Sequence, residues 1–497
     1  MKLQLKDLDF GKTDARNEYD FDKKFFLSSF YAPSSFDYND FIEGKKYYIV
    51  GGKGTGKTAL LMYLHSLKKG NSRFILYKED IDEEQKSDFL DLMNADLKEF
   101  NNKEISALNF EKVWQLYLHK LVAEELSEKK FFVNNDLFKK YKKIIDKINK
   151  ESLLSVDTFL LKLKSGFKYT SASIDMNVNV REKEKEISLT LKELDELYLK
   201  LTVIGPQNYF FFIDEIELNK IDENNFVRDT VLIRDLIIAV KRMNFLSNKN
   251  KSSIKWIMAI RSEVMSSVYS YGKEINKLME DFGHVLSWTQ TGGNHIDNPL
   301  ITIISKKIRA SEEKFNIDNQ NILDKQIFYN YFVKEIFKEK LATENYILRQ
   351  TYMKPRDIVR LCNLAVSKYG NKYSFSQEVL EGIRESYGQN TWSELCEELT
   401  SKYTSDDLIG IKMILQGSKS IDYNQLCIEI ARKRKQIPII SELLEKHELS
   451  KILQDLYSVG IIGNNSNGKT RFSYRGQDYL DLDHPIIRHE SIKKILI

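Results

Sequence analysis

"YYIVGGKGTGKTALLMYLHSL", residues 47–67, contains the spacing Gly, any four residues, Gly, Lys, Thr at 51–58. That spacing is a phosphate-loop pattern only if a strand precedes it and a helix follows. Upstream, "KKYYIV" (45–50) is a short run of aromatic and β-branched residues, which reads as a buried strand. Downstream, "ALLMYLHSL" (59–67) is made of strong helix formers. Both flanks therefore predict a strand, a glycine loop and a helix. Gly51, Gly52, Gly54 and Gly56 let the backbone curl its N–H groups around phosphate oxygens. The start of the following helix adds positive potential. The candidate nucleotide contacts are Gly51, Gly52, Lys53, Gly54, Thr55, Gly56, Lys57, Thr58 and Ala59. Lys57 is placed to reach the terminal phosphates, and the Thr58 hydroxyl to ligate magnesium.

Binding ATP is not hydrolysing it. The second requirement is carried by "NYFFFIDEIEL" (208–218), an apolar strand that ends in Asp214 and Glu215. Asp214 is the expected holder of the magnesium water shell. Glu215 is the expected base for the attacking water. A third strand, "WIMAI" within 253–264, delivers Arg261 to its carboxyl end, where ligands of parallel sheets bind. In "YMKPRDIVRLCNLA" (352–365), Pro355 suits the first turn of a helix and places Arg356 at its beginning.

The same spacing recurs as "GNNSNGKT" at 463–470. Here the flanks fail. "RFSYR" alternates like a strand, and Asn and Gly form turn chemistry. The reading is a β-hairpin with no helix to hold phosphate, hence one nucleotide site, at 51–58.

The chain has 497 residues, 42% hydrophobic and 30% charged, enough for more than one domain. A net charge of +4 over such a length argues for neither a nucleic-acid nor a membrane partner. Only Cys362, Cys396 and Cys427 are present, which points to a reducing compartment without a disulfide framework. No signal-peptide core and no apolar run of about 18 residues is visible. The expectation is a cytoplasmic protein.

The distance from Thr58 to Asp214 far exceeds the roughly 30 residues of one strand–helix unit. A helical insertion is therefore expected at about 80–205, with a strand or hairpin at 167–180 and a solvated charge run at 181–186. Residues 300–395 read as a helical lid containing Arg356. Residues 396–497 read as three helices (406–415, 423–434 and 438–460, the last broken) followed by the hairpin, which is a winged-helix plan. The division is thus 1–299 for the ATPase core, 300–395 for the lid and 396–497 for the winged-helix-like domain.

Residues 51–58, "FFFIDE", "AIRSE" and "KPRDIVRLCN" together resemble the bacterial phosphate-loop ATPases of the AAA+/STAND group. "FGKTDARNE" (10–18) and "GKEINKLMEDFGHVLSW" (272–288) are similar to motifs of a branch carried in phage-defence gene neighbourhoods. The resemblance implies an α/β fold with a parallel-sheet P-loop NTPase core. It implies ATP and Mg2+ as ligands and ATP hydrolysis as the activity. It makes Lys57 and Thr58 the phosphate and magnesium contacts, Asp214 and Glu215 the magnesium-water ligand and base, Arg261 a sensor and Arg356 a lid arginine. Arg228 and Arg234 are the candidates for an arginine finger between subunits of a homo-oligomer. The functional expectation is a nucleotide-driven switch with a separate protein partner or effector. The alternative is a DNA-binding ATPase of origin-recognition or helicase-loader type. Residues 432–435 ("RKRK") and 469–475 favour DNA, whereas Glu442, Glu445 and Glu448 on the third helix would repel phosphates.

Overall fold

In the computed structural model of the chain, the described residues are 2–67, 71–80, 110–127, 134–150, 188–201, 208–218, 223–249, 254–272, 274–289, 294–337, 341–400, 402–417, 420–466, 468–475 and 479–496. The fold is α/β. A parallel sheet of five strands runs in the order β2-β3-β4-β1-β5. Its strands are β1 (Tyr48–Gly51), β2 (Ser72–Leu76), β3 (Tyr209–Ile216), β4 (Ile254–Arg261) and β5 (Gly283–Val285).

β3 and β4 are buried along almost their whole length, as expected for inner strands of a sheet covered on both faces. Aromatic side chains fill this core. Phe211 stacks on Trp256 at 4.2 Å between ring centres, and Phe74 lies 5.0 Å from Phe212. Burying each such ring contributes about 1.5–3 kcal/mol. The long helix Glu223–Lys249 packs on β4, and its Ile237 carbonyl accepts a 2.7 Å hydrogen bond from the Tyr48 hydroxyl.

Of the expected insertion, three helices are described: Glu111–Ser127, Asn135–Lys150 and 188–200. They join the same core through Trp114, Tyr141, Leu194 and Tyr198. The strand or hairpin expected at 167–180 and the charge run at 181–186 lie outside the described residues.

The chain divides into two compact units: Ser34–Lys53 with Lys57–Leu286, and Met1–Pro33 with Gly54–Gly56 and Ser287–Ile497. This differs from a core spanning 1–299. The N-terminal residues belong with the C-terminal half because Leu5 and Lys6 donate backbone hydrogen bonds to the Lys372 and Gly370 carbonyls. Leu3, Leu5, Leu8 and Phe10 then enter the core formed by 288–387. "FGKTDARNE" is thereby explained structurally. Gly11 adopts φ 77°, a Cβ there would collide with Glu18, and Glu18 forms a buried 2.6 Å ion pair with Lys307.

The last hundred residues have a separate core. Helices Ser405–Leu415, Tyr423–Gln436, Pro438–Lys446 and Leu449–Ser458 form there, so the expected third helix is broken at His447 and Glu448. Besides β6 (Glu335–Ile336) and β7 (Leu341–Ala342), a small sheet in the order β10-β9-β11-β8 completes the strands among the described residues. It comprises β8 (Ser420–Ile421), β9 (Ile462–Ser466), β10 (Lys469–Arg471) and β11 (Ile486–Arg488). β9 and β10 are the antiparallel hairpin expected at the second glycine motif. Its second arm is shorter than expected: Ser473–Arg475 is a 3-10 turn, while Phe472 and Tyr474 stack on each other and pack against His489.

Candidate nucleotide site

The glycine loop leaves the end of β1 and enters the helix Lys57–Leu67. Gly54 and Gly56 sit at φ 80° and 90°, conformations that residues with a Cβ avoid. The Lys57 ammonium is buried and donates to the Gly51 and Gly52 carbonyls at 2.8 and 2.9 Å. The Thr58 hydroxyl donates to Asp214 Oδ2 at 2.7 Å. Residues 156 positions apart are thus joined at the carboxyl edge of one sheet.

The pairing of Asp214 with Glu215 raises a parity problem. Successive side chains of a strand point to opposite faces, so two neighbours do not ordinarily serve one site. β3 breaks its regularity at this place. The register with β4 shifts between Ile213 and Ile216, and Glu215 has φ 57°. A bulge of this kind re-aims a side chain at a cost of order 1 kcal/mol or more. No sequence pattern announced it.

β4 lies between β1 and β3, and Arg261 at its end stands in register with Gly51. Its Nη2 donates to Glu217, and its Nη1 lies 3.7 Å from Glu263. Arg261 is therefore at the expected edge of the sheet and is clasped by two carboxylates. Glu217 was not singled out from sequence; its only signal is its place two residues after Glu215.

Arg356 begins the helix Pro355–Tyr369, with Pro355 at its first turn as expected. In the unit that holds Gly54–Gly56, the Arg356 N–H donates to the Gly54 carbonyl at 3.4 Å. Arg356 Nε donates to the Thr13 carbonyl at 3.2 Å and Nη1 to Glu394 at 3.2 Å. Glu394 also takes Arg360 Nη2. Burial works against the charge on Glu394, but the Arg360 and Arg356 guanidiniums outweigh it and hold its carboxyl below the usual range. Such a group stabilises the fold above the ordinary carboxylate pKa and loses that contribution as pH falls through its lowered value. Glu394→Gln should cost roughly 1–3 kcal/mol at pH 7. The gap between the two urea-unfolding curves should begin to close as pH falls below about 4 and vanish once it has passed the lowered value. A gap of constant size down to pH 3 would mean the pair contributes no charge energy.

The remaining sequence candidates separate clearly. Arg234 is fully buried, bound to Asp235 and the Tyr271 carbonyl, and Arg228 is buried beside Asp229. Both are buried beside carboxylates of their own helix. Of the basic run 432–435, Lys433 caps a neighbouring helix by donating to the Met413 and Gln416 carbonyls, and Arg434 lies 3.9 Å from Glu445. Lys469 and Arg471 are exposed on the hairpin, and Glu442, Glu445 and Glu448 are exposed as well.

Among the described residues, no helix is long and apolar enough to cross a membrane. Residues 298–396, roughly a fifth of the chain, match the FunZ-associated C-terminal helical domain. Neither a curated protein nor a solved structure matches the chain significantly.

Proposed function

We propose that the chain is an ATP-binding and ATP-hydrolysing phosphate-loop ATPase of the AAA+/STAND kind, acting as a nucleotide-driven switch in bacterial anti-phage defence with a separate partner or effector protein. The observation that carries the reading is the 2.7 Å contact between Thr58 and Asp214, beside the buried Lys57 ammonium at the base of a glycine loop. A strand–loop–helix joined to an acidic strand end in this way suits a nucleotide's phosphates. Thr58 and Asp214 offer two hard oxygen ligands of the type magnesium takes alongside phosphates. Magnesium bound there would neutralise charge on the phosphate oxygens.

In this reading Lys57 leaves the Gly51 and Gly52 carbonyls for the terminal phosphates. Glu215 orients and deprotonates the attacking water, and its position on the bulge supports a role distinct from that of Asp214. Arg261 senses the γ-phosphate from the end of β4, and Arg356 does so from the helical 300–395 region. The products are ADP and phosphate. The direct test is magnesium-dependent phosphate release from ATP by the purified chain, abolished in Asp214→Asn. No release above the variant's level would sink the enzyme reading.

The match of residues 298–396 to a FunZ-associated helical domain, FunZ being a defence-associated context, supports the defence setting. The helices and hairpin of 396–497 suit a winged-helix-like domain that contacts a protein. Exposed Lys469 and Arg471 favour the second reading, contact with DNA. The exposed glutamates and the engaged Lys433 count against it. The hairpin is not a second nucleotide site, so Lys469→Ala should leave ATP turnover unchanged. In the DNA reading the same variant would weaken duplex binding and flatten its salt dependence.

A further inference from the structure

A cavity of about 730 Å3 opens beneath the hairpin β9–β10, wholly within the unit that contains 287–497. That volume is of the size that takes a small organic molecule. Asn465, Gly468 and Thr470, three residues of the second glycine motif, line it. Leu348, Met353 and Phe472 supply apolar wall.

Its charge is unbalanced. Arg349, Arg488 and Lys493 line the cavity, with Glu490 as the sole lining carboxylate among the described residues. Lys493 already pairs with Glu490, and Arg384 approaches the same carboxylate at 4.0 Å. Arg349 is held by a neutral group, the Asn345 side chain, at 3.1 Å. Arg488 is 5% exposed, and its guanidinium donates to the Leu415, Leu496 and Gly417 carbonyls at 2.9, 3.0 and 2.8 Å. Among the described residues no carboxylate pairs with it, and its Nε is buried without a hydrogen-bond partner. Removing a guanidinium from water without an anion is costly, and a bound anion offsets that cost. Among the described residues, Asn465 Oδ1 is also buried without a hydrogen-bond partner.

We infer that this cavity is a binding site for a small organic anion, with an apolar body and a phosphate or carboxylate head facing Arg349 and Lys493, while Arg488 adds positive potential from within the wall. The site is separate from the phosphate loop and does not depend on the ATPase reading. The hairpin motif, which lacks the helix of a phosphate loop, would contribute the wall of a different kind of anion site.

Ligand-observed fluorine NMR on the full chain tests this, in a Lys57→Ala background that disables the phosphate loop. The probes are 4-fluorophenyl phosphate, 4-fluorobenzoate and neutral 4-fluorophenol. At least one anion should broaden at millimolar concentration while the phenol does not, and which anion broadens names the head group. Arg349→Gln with Lys493→Gln, both away from the buried core of the site, should weaken that binding by at least about 10-fold, one charge-assisted hydrogen bond's worth. Thr470→Trp, on the exposed hairpin arm, should block it by filling the wall. Broadening that survives both variants, equal binding of the phenol, or no broadening by either anion would overturn the inference.

Discussion

Glu215→Gln should bind ATP as the wild type does and lose turnover by about 10²–10⁴-fold, the contribution of a positioned base. Glutamine keeps the size and hydrogen-bonding reach of the side chain, but its amide does not accept the proton of the attacking water. Lys57→Ala should do the reverse of the first half. On the proposed reading it removes charge-assisted hydrogen bonds to the terminal phosphates, roughly 1.5–3 kcal/mol each, and so should weaken ATP binding by at least about 10-fold. The bulge adds a third variant to the comparison. Glu215 occupies φ 57°, where a side chain costs about 1–2 kcal/mol that glycine does not incur. Glu215→Gly should abolish turnover, and its unfolding midpoint reports the balance between that backbone cost and the contacts of the side chain. Titration calorimetry, phosphate release and urea unfolding on the three variants separate the roles. Equal loss of ATP binding in Glu215→Gln and Lys57→Ala would refute the assignment of base and phosphate contact. A destabilised Glu215→Gly would show that the bulge is held by the side chain instead of in spite of it.

The parts of this site that depend on local chemistry were legible in the sequence. The apolar runs on either side of the loop, the strong helix formers after Thr58 and the acidic end of β3 all report their own conformations. The hairpin at 463–470 was legible for the same reason, since Asn and Gly in a turn need no distant partner to declare themselves. What stayed hidden depends on contacts between remote positions. Glu394 grips Arg356 and Arg360 from the helix Arg384–Leu399, and no spacing rule links them. Residues 1–33 join the C-terminal unit through backbone bonds to Gly370 and Lys372, which leave no trace in composition. The bulge at Glu215 is subtler: "FFFIDEIEL" reads as a plain strand, and only the pairing with β4 places the extra residue. The burial of the finger candidates was hidden too: Arg228 and Arg234 lie inside the helix Glu223–Lys249 beside Asp229 and Asp235, which composition does not reveal.

Arg356→Ala should erase the difference that ATP and ADP make to proteolysis of residues 300–390. In the Glu215→Gln background ATP persists, so the γ-phosphate remains available to a sensing arginine. Two nitrogens of Arg356 are engaged, by Thr13 and Glu394, and among the described residues Nη2 has no hydrogen-bond partner to lose. A charged hydrogen bond from this side chain to the γ-phosphate is worth roughly 1.5–3 kcal/mol, and ADP offers no equivalent. ATP should thus protect the region about 10-fold or more relative to ADP, by the rate of tryptic cleavage in the wild-type arginine background. The alanine variant keeps its backbone N–H, and with it the hydrogen bond to the Gly54 carbonyl, so the loop and the start of the helix Pro355–Tyr369 retain their connection. Nucleotide affinity should then fall much less than the protection does, because on the proposed reading Lys57 still faces the β-phosphate. A merely structural role for Arg356 is distinguished by Glu394→Gln. That variant breaks the same ion pair from the other side but leaves the guanidinium in place and less restrained. If Arg356 acts on the phosphate, Glu394→Gln should preserve or enlarge the difference between ATP and ADP, even though the fold itself is weakened. If the ion pair alone matters, Glu394→Gln should erase the difference as Arg356→Ala does, and Arg356 would then be a strut of its unit with no part in sensing the nucleotide.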